Sequence, residues 1–287
     1  MYKALSAVIT GLLICAGTQP LAAETAHIRE IWSISEGLFE PESVAVDEAR
    51  NFIYASNVVG YGINGKGYIS RMSMSGRMVD AKWIEGLNAP TGLALMGSKL
   101  YLADVNMLKV LDVERGEIIA SYVAPDREPC LNDVALADDG TVFVSGSCSS
   151  TIYKLDGDKL TRFIVDAEAL RFVNGLFVDG ELLLSGGWQI RLWNRFSGAA
   201  LADGPVTRQP DVKDIDGLAW DGSAFLMSMV DDPRLWRLKA DGIAQPISDQ
   251  PFHAADFYYD DVTGLLIMPR NLGEYDHRIT AYRLTFE

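Results

Sequence analysis

A short pattern returns six times along this chain, and it leaves little choice of fold. "PESVAVDEARNFIYASN" begins at Pro41 and "PTGLALMGSKLYLADVN" at Pro90. "LNDVALADDGTVFVSGS" follows at Leu131, "VNGLFVDGELLLSGG" at Val173, "IDGLAWDGSAFLMSM" at Ile215 and "AADFYYDDVTGLLIMP" at Ala254. Each copy is a variable residue, a polar or small residue, an apolar strand, a turn and a second apolar strand. The second residues are Glu42, Thr91, Asn132, Asn174, Asp216 and Ala255, at steps of 49, 41, 42, 42 and 39 residues. Two weaker strand patterns follow each hairpin, as in "YISRMSMSGRMVDAKWI" and "STIYKLDGDKLTRFIV". Four strands in about 40–45 residues make a propeller blade. The spacing predicts an all-β fold, a six-bladed β-propeller of four-stranded blades.

Ring closure agrees with that count. The last unit stops at "RITAYRLTFE", its third strand, so the missing outer strand is expected from "AHIREIWSIS", residues 26–35. Closing the ring in this way hides sheet edges. The expected organisation is a leader over 1–23 and one propeller domain over 24–287. In a propeller the first strand of each blade lines the central channel, and the second returns antiparallel to the face where the first began. The six second residues are therefore anchors around one mouth of the channel. Asp104, Trp188 and Arg270, at the ends of second strands, are expected on the same rim, where they would contact a substrate. The Gly-rich stretch 57–67 is expected to act as a lid.

Composition narrows the partners. Acidic residues number 39 against 25 basic, a formal net charge of −14. Such a surface repels phosphate backbones, so nucleic acid is not an expected partner. Lys3, the apolar stretch 5–17 and the small residues of "QPLAAET" read as a secretory leader cut after Ala23. Cys15 argues weakly for a lipoprotein, because bulky Ile14 precedes it. No stretch is long enough to span a bilayer. The expected location is the periplasm or the exterior, where disulfides persist. Cys130 and Cys148 flank the Asp138-Asp139-Gly140 turn symmetrically and are expected to be bonded, with two buried thiols as the alternative.

Four anchors carry oxygen donors: Glu42, Asn132, Asn174 and Asp216. One or two carboxylates with amide oxygens suit a hard divalent cation, Ca²⁺ first, with Mg²⁺, Mn²⁺ or Zn²⁺ as alternatives. The competing reading is that Asn174-Gly175 and Asp216-Gly217 are turns where a strand begins. The three histidines, His27, His253 and His277, are not anchors, and there is no G-x-S-x-G elbow, P-loop or Rossmann signature.

"PESVAVD", "LNDVALADDGTVFVS", "VNGLFVDG" and "IDGLAWDG", in this order and spacing, resemble the blade motifs of the SMP-30/gluconolactonase/regucalcin-like family. The resemblance runs over nearly the whole chain after the leader and is closest to an exported branch. It implies metal ligation by Glu42, Asn174 and Asp216, a substrate- or water-contacting Asn132, and Asp216 as general base. It departs at Cys130, where the sugar lactonases of the family have an arginine that holds the polar substrate. The implied activity is metal-dependent hydrolysis of a small-molecule lactone or ester. The alternative is a non-catalytic ligand- or protein-binding propeller with a structural metal.

Overall fold

The computed structural model describes residues 25–201, 211–271 and 276–287. The expected leader lies outside them. Within them the chain forms six antiparallel sheets arranged as blades. Blade 1 runs in the order Pro41–Asp47, Phe52–Asn57, Gly67–Ser73 and Met78–Leu87 from the channel outward. Blades 2, 3 and 5 repeat that order. Three strands of blade 4 are described, and an isolated bridge from Trp193 to Ala200 begins the position of its fourth. Blade 6 takes its outer strand from the other end of the chain: Ala26–Ile34 pairs antiparallel with His277–Phe286. The six blades and their closure are thus as the repeat predicts. Among the described residues no helix is long and apolar enough to cross a membrane.

The core lies between blades. Ala45, Tyr54 and Ile69 of blade 1 pack on Leu93, Leu100 and Leu102 of blade 2. On its other face blade 1 sets Val44, Ile53 and Met72 against Ile267, Ile279 and Ala281 of blade 6. Strands buried on both faces are apolar almost throughout, which is why the second strand reads "FLMSM" in blade 5, all buried. Six such clusters occur among the described residues, so the apolar faces are consumed around a closed ring.

One irregularity positions everything at the channel. Pro41 pairs with Asn57 and Val44 with Ala55, so Glu42 and Ser43 together face Ser56 alone. The same single-residue excess occurs at Thr91-Gly92, Asn132-Asp133 and Asp216-Gly217. In blade 6 the partners run from Ala254–Arg270 to Tyr258–Ile267, four steps against three. A bulge of this kind re-aims side chains beside a site. Serine hydroxyls satisfy the displaced amides. The Ser43, Asp133 and Gly217 N–H groups donate to Ser56, Ser145 and Ser228 at 2.9, 2.8 and 2.8 Å.

Gly175 and Gly217 have no positive φ, unlike the hairpin-turn glycines Gly140, Gly180 and Gly222. They are not turns. A Cβ on Gly175 would lie 1.9 Å from the Asp216 carbonyl oxygen of the next blade. Gly175→Ala is therefore expected to destabilise by roughly 2–3 kcal/mol through overpacking. Gly180→Asn, at a left-handed position with open space around it, should change stability by less than about 0.5 kcal/mol. Urea midpoints of the two variants check this, and equal midpoints would rule out the close approach of blades 4 and 5.

Candidate active site at the channel mouth

Five of the six anchors follow, by two residues, a non-glycine residue in the left-handed region: Glu40, Cys130, Phe172, Asp214 and His253, with φ of 47–54°. Such backbone is uncommon outside glycine and clusters at functional sites. Each of these residues turns the chain from the rim into the bulge. Around the mouth the blades are tied by polar contacts. Thr91 Oγ1 donates to the Asn132 carbonyl at 2.7 Å, Ser147 Oγ to the Val173 carbonyl at 2.7 Å, and Ser228 Oγ to the Ala255 carbonyl at 2.8 Å.

Against this satisfied frame, among the described residues, three side-chain oxygens are buried without any hydrogen-bond partner: Glu42 Oε2, Asn132 Oδ1 and Asp216 Oδ1. All three belong to anchors. Asp216 is 8% exposed. It also accepts from the Asn174 side chain, which lowers its pKa, while desolvation and then the Asp256 charge raise it to a net value of about 7. Burial, then Asp216, Asp256 and Asp133, push Glu42 well above the usual carboxylate range. The structure thus brings Glu42, Asn132, Asn174 and Asp216 to one mouth. Orphaned buried oxygens are rare, and this all-oxygen donor set fits a hard divalent cation, which would relieve the like-charge repulsion. Glu42, Asn174 and Asp216, with Asn132 beside them, are the residues that would hold it.

A second ring lies one residue further along: Ser43, Gly92, Asp133, Gly175, Gly217 and Asp256. Sequence reading missed it, because strict alternation sends the residue after an anchor away from the channel, and the bulge reverses that. Ser43 Oγ donates to Asp256 Oδ2 at 2.6 Å and accepts from the Leu93 N–H of the next blade at 3.1 Å. Asp133 accepts from the Val134 and Leu176 N–H groups at 2.7 and 2.6 Å. Burial raises both carboxyls, Asp256 to about 6, with the Ser43 and Phe257 donors opposing the rise. Gly92 shows why glycine alternates here: its Cβ would meet Asp133 Cα at 2.5 Å. The restriction of this position to Ser, Asp and Gly was the available signal. Asp133 and Asp256 of this ring line a cavity of about 530 Å³ that also takes in Asp47 and Glu48.

The rim residues are placed differently from one another. Asp104 is fully buried. Its Oδ1 accepts from the Asn88 and Ala89 N–H groups, and Lys109 Nζ lies 2.5 Å from its Oδ2. Arg270 donates to the Phe252 and Pro251 carbonyls and to the Tyr282 hydroxyl, at 2.7, 3.1 and 2.8 Å. It clasps the start of blade 6. Trp188 is half-buried, with the Arg171 guanidinium 4.4 Å and the Lys213 ammonium 5.0 Å from its ring. In the stretch 57–67, the Gly60 N–H donates to Glu40 Oε2 at 2.5 Å. Exposed Tyr61 carries a hydroxyl pushed up to about 12, mostly by desolvation and then by the Glu42 and Asp104 charges. The two glutamates flanking Pro41 therefore divide their work: Glu40 holds the loop and Glu42 faces the channel.

The Cys130–Cys148 disulfide is present, with Cα atoms 5.2 Å apart. It lies just beyond the hairpin, whose last pair is Leu131–Gly146. The position where the resemblance expects an arginine is thus a half-cystine tied to the end of its own second strand.

No family model matches the chain, and no curated protein matches it. Solved structures do. A catalytically inactive histidine-to-alanine form of virginiamycin B lyase from Staphylococcus aureus, with quinupristin, superposes with a TM-score of 0.62 at 13% identity over 91% of this chain and 100% of that one. A streptogramin B lyase gives 0.61 at 12% identity, covering 91% of this chain and 98% of that one. A selenomethionine form of the Staphylococcus aureus lyase gives 0.60 at 13% over 92% and 100%. This chain is a six-bladed propeller similar in fold to those lyases.

Proposed function

We propose that the protein is a divalent-cation-dependent hydrolase of small lactones or related esters, acting at the mouth ringed by Glu42, Asn132, Asn174 and Asp216. The observation that carries this reading is the convergence of three partnerless buried oxygens, on Glu42, Asn132 and Asp216, at one end of the channel. A bound cation would supply Lewis-acid polarisation of the substrate carbonyl. Asp216 takes the proton of the attacking water: burial and the Asp256 charge raise its carboxyl to about 7 in the cation-free site, and a bound cation would pull it back down, leaving it ionised and able to act as base. The Asn174 side chain orients that carboxylate. Asn132 donates its Nδ2 weakly to Ser147 Oγ, at 3.4 Å, and keeps Oδ1 free. A free acceptor holds a water by its hydrogen, so Asn132 positions the nucleophile. With Cys130 at the arginine position, sugar lactones are not the favoured substrates.

A second reading has one observation behind it. The histidine-to-alanine form of the similar lyase is catalytically inactive, and here His253 stands exposed at the blade 6 rim, in left-handed backbone two residues before Ala255. Histidine-assisted lyase chemistry there is the alternative to water attack directed by Asp216.

Acid release on a pH-stat separates the readings. Sugar, aliphatic and aromatic lactones are offered to the protein with Ca²⁺, with Mn²⁺ and with EDTA. Hydrolysis is expected with cation and not with EDTA, greatest on non-sugar lactones. Absence of release on every lactone, by protein shown to hold Ca²⁺, would leave a ligand-binding propeller. Turnover that survives EDTA and is lost in His253→Ala would favour the lyase reading.

A further inference from the structure

The third residue before each anchor is Phe39, Asn88, Pro129, Arg171, Lys213 or Phe252. Only blades 4 and 5 put a cation there. Three residues of chain reach at most about 10 Å, so the backbones of Arg171 and Lys213 lie within that distance of Asn174 and Asp216, on the same rim. The end of the second strand of blade 4 is wedged between them. Gly187 exchanges two backbone hydrogen bonds with Ile215 of blade 5, each 2.8 Å. It has φ +104°, and a Cβ there would meet the Phe172 carbonyl oxygen at 2.4 Å, so only glycine fits. The next residue, Trp188, donates its N–H to the Arg171 carbonyl at 3.0 Å. Its indole is thereby fixed between the two blades, with both cations against it. Arg171 also lies 5.3 Å from the ring of Phe172, which is 53% exposed.

Arg171 is exposed and Lys213 half-buried, and neither has a carboxylate at ion-pairing distance among the described residues, so both face the mouth with their charges available to a ligand. Two like charges held against one indole raise the local positive potential, and an anion that reaches both lowers it. A guanidinium fork takes a planar carboxylate in two parallel hydrogen bonds, and the aromatic surfaces beside it take an apolar or aromatic group. The chain's net charge of −14 disfavours polyanions.

We propose that Arg171, Lys213 and Trp188 form a carboxylate-binding subsite at the channel mouth, selective for a ligand whose carboxylate is attached to an apolar or aromatic group. Where the hydrolase reading holds, and this clause rests on it, the substrate is an anionic lactone or ester, oriented by blades 4 and 5 in place of the arginine displaced by Cys130.

The test uses phenylacetate and its neutral isostere phenylacetamide, titrated into the protein with saturation-transfer NMR as the readout. Phenylacetate is expected to bind at least about tenfold more tightly. Arg171→Gln and Lys213→Gln should each remove most of that preference, and the double variant all of it. Trp188→Ala should weaken both probes, and Gly180→Asn, at an open hairpin turn, should leave the preference intact. Thermal melts confirm that these variants fold. Equal affinities for the two probes, no measurable binding of either, or a preference unchanged in the double variant overturns the proposal. Preference without turnover on any lactone would sink the hydrolase reading alone. Hydrolysis whose KM ignores a pendant carboxylate would sink the subsite alone.

Discussion

Asp216→Asn is expected to lower kcat/KM on the preferred lactone by about 10³-fold at saturating Ca²⁺, within the range general-base removal usually gives. The substitution keeps shape and a hydrogen-bond partner for Asn174 but cannot take a proton. It also removes a buried carboxyl raised to about 7 by desolvation and by Asp256, so the variant should melt no lower than the parent. Loss of rate with unimpaired folding is what separates a chemical role from a structural one. Glu42→Gln provides the contrast. Glu42 is placed to hold the cation rather than to move a proton, so its loss should raise the Ca²⁺ concentration needed for half-activity and leave kcat at saturation within about tenfold. The expected split, read at saturating Ca²⁺, is a kcat effect at Asp216, which also weakens cation binding because it is a candidate ligand, and a metal-affinity effect alone at Glu42. Unchanged turnover in Asp216→Asn would end the mechanism, whatever the metal does.

These side chains also show what the sequence could and could not disclose. The blades were legible because hydrophobic runs and turn residues recur at a fixed period, and each run needs a neighbour to cover it. The closing strand was legible because one unit was a strand short. The anchors were legible as positions, since five of the six are acid, amide or hydroxyl at the entry to an apolar strand. The second ring was not. Ser43, Asp133 and Asp256 face the channel because the inner strands of their blades each carry one extra residue, and a one-residue change reverses the direction of everything before it. Asp104 and Arg270 were placed on the rim by the same counting, and it gave their depth but not their partners. Asp104 meets Lys109 across a tight turn, and Arg270 meets carbonyls that precede it by 18 and 19 residues. Contacts of that kind depend on rotamers and loop paths that no periodicity encodes.

The two rings together make a prediction about stability as well as catalysis. Four carboxyls, on Glu42, Asp133, Asp216 and Asp256, lie along one channel, and desolvation is the first cause of the upward shift in each. In the unfolded chain an aspartate titrates near 3.9. Between that value and about 6 for Asp256 or about 7 for Asp216, the folded protein holds protons that the unfolded chain has released. Stability then falls as pH rises, because the slope follows the excess of protons bound by the unfolded state, which here is negative. The contribution is fully present below about pH 4 and lost by about pH 7. In EDTA the melting temperature is expected to drop between pH 5 and pH 8 by roughly 5–10 °C, corresponding to a few kcal/mol for a domain of this size. Ca²⁺ should reverse the drop at pH 8 and do little at pH 5, since cation and proton compete for the same oxygens. Glu42→Gln should make the EDTA curve shallower and weaken the Ca²⁺ effect together, because this carboxylate contributes to both. Asp133→Asn should flatten the curve and leave a Ca²⁺ response, since both Asp133 oxygens are already committed to backbone amides. A melting temperature that is level or rising with pH in EDTA would mean that the channel carboxyls are not held protonated, and the case for a cation drawn in by their repulsion would fall with it.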